Sequence, residues 1–290
     1  MKISKSQLTK STKGVVMRKS LLFTAAVAAV VVLSGVTVYA QTWATVEGQS
    51  SGTVGVTLGN PSVGYPIITA IGSAPVGSLD GYTYSSYSVF SQDSSGSGDL
   101  YGSSASFGSY TPAVGDAVTA TGTYAPYHQI PEVDALTAVS AASSGNTVPT
   151  APVFSIPTLV ASGTGPIPES IAGYVLQVQN VELYTDAACT IPVSGNFATH
   201  ANTTLYAEDG SANTMEVYVW ASSYSTDGAM GGTPIPTGLV DLTGFMSQSS
   251  TFPPEMTPFQ ITPVAVPEPA TIALVGTGLL GLFLIRRRRG

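Results

Sequence analysis

The chain has 290 residues, with 10 Lys and Arg against 17 Asp and Glu, and a formal net charge of −7 at pH 7. That figure hides a segregation: every Lys and Arg lies before residue 20 or after residue 285, and of the 17 acidic residues only Glu268 lies in the C-terminal tail, so residues 41–264 hold the other 16 and no basic side chain beyond His128 and His200. Binding to nucleic acid relies on Lys and Arg releasing condensed counterions, so nucleic acid is a poor partner, and no Lys or Arg salt bridge is available to hold the middle of the chain together.

At the N-terminus, Lys2, Lys5, Lys10, Lys13, Arg18 and Lys19 precede an apolar stretch over 21–33, and Val38-Tyr39-Ala40 follows with residues that a signal peptidase reads. Residues 1–40 are expected to form a secretory signal helix cut between Ala40 and Gln41. An uncleaved anchor is the alternative.

The region that follows is rich in Gly, Ser, Thr, Val, Tyr and Pro, a composition that favours strands punctuated by turns. Period-2 alternation predicts strands at 118–124 (VTATGTY), 171–183 (IAGYVLQVQNVEL), 215–220 (MEVYVW) and 240–246 (VDLTGFM). The opening strand of the first half has no clear place between Trp43 and Ile71. Three landmarks recur in order about 120 residues apart: Val89-Phe90-Ser91-Gln92-Asp93 with Leu205-Tyr206-Ala207-Glu208-Asp209, Val118-Thr119-Ala120-Thr121-Gly122 with Val240-Asp241-Leu242-Thr243-Gly244, and Pro131-Glu132-Val133 with Pro254-Glu255-Met256. We read two related β-domains, 41–142 and 151–264, joined by a turn-rich linker at 143–150.

The second copy carries a resemblance. Ile156-Pro157-Thr158-Leu159, then Ile171-Ala172-Gly173-Tyr174-Val175, the turn Glu208-Asp209-Gly210-Ser211, and the run from Ile235-Pro236-Thr237-Gly238 to Thr243-Gly244 resemble small OB-like barrels of secreted bacterial proteins. The resemblance implies an all-β fold of two tandem OB-like small β-barrels, five strands each. The basic groove of nucleic-acid-binding OB domains is missing.

Candidate chemistry is sparse. His128, with Glu132 and Asp134 nearby in YAPYHQIPEVD, is the candidate for a hydrolytic centre, but no Gly-x-Ser-x-Gly pattern accompanies it. Glu132 with Asp134, and Glu208 with Asp209, are the candidate carboxylate pairs, and as sequence neighbours in turns they read as solvated acids. Asp93 and Asp99 flank a Ser/Gly loop that is the candidate calcium site, though it lacks the ligand density and closing glutamate of an EF-hand. No other cofactor is expected. Cys189 has no partner for an intramolecular disulfide and reads as buried and inert. The tract Tyr82, Tyr84, Tyr87, Tyr101 and Tyr110 is read as strand residues covering a barrel rather than as a sugar platform.

The tail, 266–290, reads VPEPATIALVGTGLLGLFLIRRRRG. Its apolar run over 270–285 is about 24 Å of helix against about 30 Å of bilayer hydrocarbon, and the arginines at its end would stop transfer and stay in the cytoplasm. The order Val266-Pro267-Glu268-Pro269, a short Gly-containing apolar helix, and Arg286, Arg287, Arg288 and Arg289 resembles the PEP-CTERM sorting signal of exported bacterial proteins. The resemblance implies that the transmembrane helix of 265–290 is a temporary handle, that an exosortase-type membrane protease cuts near Pro267-Glu268-Pro269, and that the protein passes to the cell surface or a polysaccharide-rich matrix. The expected function is therefore that of a non-enzymatic surface or matrix protein, with a carbohydrate-binding module and a secreted hydrolase as the rival readings.

Overall fold

A computed structural model describes residues 40–75, 85–161, 167–168, 171–199, 201–220, 224–225, 228–249 and 252–265. The signal segment, the apolar tail, Val266, Pro267, Glu268, Pro269 and the four terminal arginines lie outside the described residues. Among the described residues no helix is long and apolar enough to cross a membrane.

The fold is mostly β, as the composition predicts. A short helix α1 (Trp43–Glu47) leads to β1 (Thr53–Leu58), β2 (Ile67–Ser73), β3 (Ser86–Gln92), β4 (Ser97–Ser103), helix α2 (Ser104–Phe107), β5 (Ala117–Tyr124) and β6 (Glu132–Ser143). Helix α3 (Ile156–Val160) then precedes β7 (Leu176–Tyr184), β8 (Thr203–Glu208), β9 (Thr214–Val219), a two-residue pair β10 (Tyr224–Ser225) and β11 (Gly228–Ala229), β12 (Val240–Ser249) and β13 (Phe252–Pro263).

The first six strands form one sheet in the order β1-β5-β2-β3-β4-β6, and an additional β5–β6 pairing closes β2, β3, β4, β6 and β5 into a ring. Strands β7, β8, β9, β13 and β12 form a closed barrel. Both rings have the same circuit. The first three strands are antiparallel neighbours, the fifth runs parallel to the third, and the fourth pairs with the fifth and the first. The missing opening strand of the first half is β2, while β1 is an extra strand on β5. The predicted strand at 171 begins only at Leu176; Ile171 and Ala172 are buried in the turn before it.

Each ring is filled by the alternate residues of its own strands. Val89, Leu100, Val118, Ala120 and Val133 lie in the first core, and Val178, Leu205, Val217, Leu242 and Met256 in the second. The short helices also correspond. Helix α1 buries Trp43 and Val46, α3 buries Ile156 and Leu159, and in both the residue before the helix places its hydroxyl against that of the third helical residue, Thr42 with Thr45 at 3.2 Å and Ser155 with Thr158 at 2.9 Å. The Thr-Gly of the repeat has a steric reason. A Cβ on Gly122 would strike the Asp134 carbonyl and one on Gly244 the Thr257 carbonyl, because the register shifts there as the fourth strand bends across the fifth.

The two rings share a third core. Ala70, Phe90 and Ile130 of the first pack with Val175, Phe245 and Phe259 of the second, with Ala151 and Trp220 against them. The ring centroids of Phe90 and Phe245 are 4.5 Å apart, Phe90 and Phe259 5.1 Å, and Phe245 and Phe259 5.4 Å. The segment read as a linker is also tied down: Asn146 donates from its backbone N–H and its Nδ2 to the Gly115 carbonyl, both at 2.9 Å.

Candidate functional site

At the point where the third and fifth strands of each ring meet in parallel, the sequence places two acids side by side. Asp99 pairs with Glu132 in the first ring, and Glu216 with Glu255 in the second. Their sequence neighbours Leu100, Val133, Val217 and Met256 point into the ring cores, so strand alternation turns all four acids outward. Three of them are nevertheless buried, Asp99, Glu132 and Glu255 at 4, 8 and 6% exposure. Ser88 donates to Asp99 Oδ2 at 2.7 Å and Ser247 to Glu255 Oε1 at 3.1 Å.

Burial without a cation disfavours the charged form. Desolvation raises the pKa of both Asp99 and Glu132, the Ser88 hydroxyl partly opposes the rise at Asp99, and the charges of Asp99 and Asp134 raise Glu132 further. The pair is therefore driven toward its protonated form. Glu255 is pushed up to about 7, chiefly by burial, against the Ser247 hydroxyl and with help from Glu216.

One tyrosine accompanies each pair. Tyr101 stands opposite Ser88 on β4, and Tyr218 opposite Thr204 on β9, each two residues beyond its acid and on the same side of the strand. Tyr101 is 42% exposed, and Asn202 Nδ2 donates to the Tyr218 hydroxyl at 2.6 Å. A third ring, Tyr127 at 47% exposure, comes from the loop between β5 and β6. Its hydroxyl pKa is raised first by partial burial and then by Glu132, Tyr101, Tyr218 and Glu255, so it lies within electrostatic reach of both acid pairs.

That loop is held in an uncommon shape. Tyr127 and Ile130 exchange backbone hydrogen bonds of 3.0 and 2.8 Å around His128 and Gln129, whose φ angles of 49° and 65° are both left-handed. This is a type I′ corner, normally built from Asn and Gly, and each non-Gly residue in it costs on the order of 1 kcal/mol or more. Residues from the second half of the chain hold it there. Gln248 N–H donates to the His128 carbonyl at 3.1 Å, Ile167 N–H donates to Gln129 Oε1 at 2.7 Å, and the His128 ring stacks on Tyr127 at 3.9 Å with Phe252 edge-on at 5.0 Å.

The sequence candidates fall into place unevenly. Glu132 and Asp134 share one side of β6, and Glu132 is buried rather than solvated. His128 is held among rings, with burial lowering its pKa; no carboxylate is among its influences. Asp93 and Asp99 have separate partners. Asp93 Oδ1 accepts from Ser95 N–H, Ser95 Oγ and Gly96 N–H and its Oδ2 from Trp43 N–H, whereas Asp99 lies on the outer side of β4 under Ser88. Among the described residues no three His, Cys, Asp or Glu side chains gather where they would hold a metal.

Asp209 caps its own turn, accepting from Ser211 N–H at 2.8 Å and Asn213 N–H at 3.0 Å, while Glu208 pairs with Glu182 on β7. Cys189 is half-buried rather than buried; its thiol is pushed up by desolvation and by Glu208 and Asp186. Tyr87 packs on Phe107 at 4.6 Å and Tyr110 donates to Asp116 at 2.8 Å, so the tyrosine tract covers the first ring, with Tyr101 left outward. His200, Tyr82 and Tyr84 lie outside the described residues. Glu216, Tyr218 and Tyr127 had no place in the sequence reading. A fourth repeat landmark, Asp99-Leu100-Tyr101 against Glu216-Val217-Tyr218, would have found the first two.

Against known proteins, no curated protein matches the chain. Solved structures resemble it distantly. One comes from work on the molecular basis for abrogation of activation of pro-inflammatory cytokines, at 10% identity and a TM-score of 0.37, covering 73% of this chain and 92% of that one. Another, from work on structural mimicry for functional antagonism, has the same identity and TM-score and covers 73% and 94%. A murine DNA-binding protein bound with ds DNA matches at 12% identity and a TM-score of 0.35, covering 70% and 98%. Likeness at this level carries no argument. The family comparison is specific: residues 265–289 match the PEP-CTERM protein-sorting motif, which supports an exported protein sorted by an exosortase.

Proposed function

We propose that this is a non-enzymatic bacterial protein of the cell surface or extracellular matrix. On this reading its two five-stranded rings are tandem OB-like domains, and its tail is cut near Pro267-Glu268-Pro269 after the apolar helix has held it briefly in the inner membrane. The observation that carries the proposal is the match at 265–289, which starts two residues after β13 ends at Pro263. The cleavage signal thus follows the folded part with almost no spacer. Intact-mass analysis of the protein recovered outside the cell tests it: loss of Arg286, Arg287, Arg288 and Arg289 is expected, and their retention would make the tail a plain anchor.

A second reading, saccharide binding, is favoured by the outward tyrosines Tyr101, Tyr127 and Tyr218, which come from both rings and stand beside carboxyl groups that hydrogen-bond hydroxyls. Asp93 and Asp99 are not proposed as one calcium site, since their partners are separate.

A further inference from the structure

We infer that the end of β13, Gln260 to Pro263, is a releasable strap that must peel from β12 before the sorting protease can cut near Pro267-Glu268-Pro269, so that this local opening sets the pace at which the protein leaves the membrane. The inference rests on the cleavage reading above and adds the step that regulates it.

Three features of the fold mark off the strap. First, its attachment is one-sided. Thr243 pairs with Gln260, Leu242 with Ile261, Asp241 with Thr262 and Val240 with Pro263, whereas β9, the other neighbour of β13, reaches only Glu255 and Met256. Among the described residues β12 is therefore the strap's sole strand partner, and Pro263 brings no N–H to the pairing. Second, a register shift between Thr243 and Gly244 leaves Phe259 without an opposite residue, so a bulge separates the strap from the rest of β13. Third, burial ends at that bulge. Pro254 to Phe259 are buried, but Gln260, Thr262 and Pro263 are exposed and Ile261 is half-buried against the second core.

The ring does not depend on the strap for closure. The other edge of β12 is held by β7, through Val240 with Val181 and Leu242 with Val178. The pairs from Gly244 with Pro258 to Ser247 with Glu255 lie beyond the bulge. Peeling the strap thus leaves the ring closed and uncovers little apolar side chain besides Ile261. Segments with few buried apolar contacts open locally at a fraction of the global unfolding free energy.

Cleavage needs that opening because the ring holds the chain almost up to the motif. Val264 N–H donates to the Leu239 carbonyl at 2.9 Å, and Pro267 follows three residues later. Those residues reach about 10 Å at full extension, and the apolar run starts directly after Pro269. A protease must close on extended backbone on both sides of the bond it cuts, and backbone already hydrogen-bonded in a sheet is withheld from it. Releasing Gln260 to Val264 frees about 17 Å more chain. Where opening and closing are fast compared with cutting, proteolysis follows the population of the open form.

The test is a pulse-chase of the full-length chain in the exporting cell, reading the membrane-held and released forms by intact mass. A disulfide from Asp241→Cys with Thr262→Cys, in a Cys189→Ala background, staples the strap. These two positions are opposite in an antiparallel pair, where Cα atoms stand about 4.5–5.5 Å apart, within the range a disulfide spans. With thiol labelling confirming the bond, the staple should slow cleavage at least tenfold. A six-residue Gly-Ser spacer between Val264 and Ala265 should speed cleavage several-fold in the unstapled chain and restore rapid cleavage to the stapled one. Ile261→Ala, which loosens the strap alone, should speed cleavage about twofold or more.

A stapled chain cut as fast as the unaltered one, or a spacer and Ile261→Ala that both leave the rate unchanged, would overturn the inference and leave the cleavage reading standing. Equal slowing of the stapled chain with and without the spacer would trace the effect to folding or export and also overturn it. Retention of Arg286 to Arg289 in every form, the spacer variant included, would overturn the cleavage reading itself.

Discussion

The shared aromatic core makes a strong demand on how the molecule unfolds. Phe90 of the first ring is 1% exposed and Phe245 of the second is fully buried, and the two stack at 4.5 Å with Phe259 at 5.1 and 5.4 Å. Truncating a fully buried Phe to Ala costs about 3–5 kcal/mol through lost transfer energy and the residual cavity. Of that, about 0.5–1.5 kcal/mol belongs to each specific ring pair. Phe90→Ala should therefore lower the unfolding free energy of the exported protein by about 3–5 kcal/mol, although Phe90 lies outside both strand-ring cores. The double variant Phe90→Ala/Phe245→Ala should fall short of additivity by about 1 kcal/mol, the coupling of contacting residues. Urea denaturation followed by tryptophan fluorescence suits the assay, since Trp43 reports on the first ring and Trp220 packs on the shared core. The unaltered protein should unfold in one transition. Two separated transitions in the unaltered protein, or a Phe90→Ala cost below about 1 kcal/mol, would refute the idea that the rings share a core.

Further expectations concern pH, packing and partners. Glu255 rises from its ordinary 4.5 to about 7 on folding and Glu132 and Asp99 rise with it, so the native state binds more protons than the unfolded one. Their stabilising effect is complete at pH 4 and is lost as pH climbs through 7 and beyond. The urea midpoint should fall between pH 5.5 and 8.5, and Glu255→Gln should flatten that fall; a midpoint that rose over this range would contradict the assignment. Gly122→Ala and Gly244→Ala should each cost about 1–3 kcal/mol by overpacking a carbonyl, measured by the same denaturation; a change within 0.5 kcal/mol would refute the close-approach account. No binding of a labelled single-stranded oligonucleotide is expected at physiological salt, since about 8 Å of Debye screening weakens the repulsion but no Lys or Arg supplies attraction. Micromolar, salt-sensitive binding would overturn the charge argument.

Much of the architecture was legible because each ring writes its alternation into the chain. The strands at 118–124, 215–220 and 240–246 follow from side chains pointing alternately into one core and away from it. The repeated Thr-Gly and Pro-Glu steps mark equivalent points of the two circuits. The opening strand β2 was hidden because both of its sides are covered, one by the first core and the other by the second ring, which erases the polar half of the pattern at Ala70 and Ile68. The same burial misdirected the reading of Glu132. An acid beside a proline in a turn-like stretch reads as solvated, and only the parallel pairing with Asp99 and the burial of the side chain reveal that it is not. Tyr127 was illegible for a different reason: His128 and Gln129 are not residues that announce a type I′ corner, and the hydrogen bonds that enforce it come from residues 167 and 248.

The circuit itself has a bearing on when the protein folds. Each ring closes through contacts between distant residues: Asp99 with Glu132 and Ile67 with Ala117 in the first, Glu216 with Glu255 and Leu176 with Gly244 in the second. Loops of this length must be closed before the pairing is rewarded, and topologies dominated by non-local pairing fold over milliseconds to seconds rather than microseconds. A chain that is threaded through a membrane in extended form must stay unfolded until it has crossed. Slow ring closure suits transfer of an unfolded chain, and the shared aromatic core, which draws on residues from Ala70 to Phe259, needs both rings to be available before it can form.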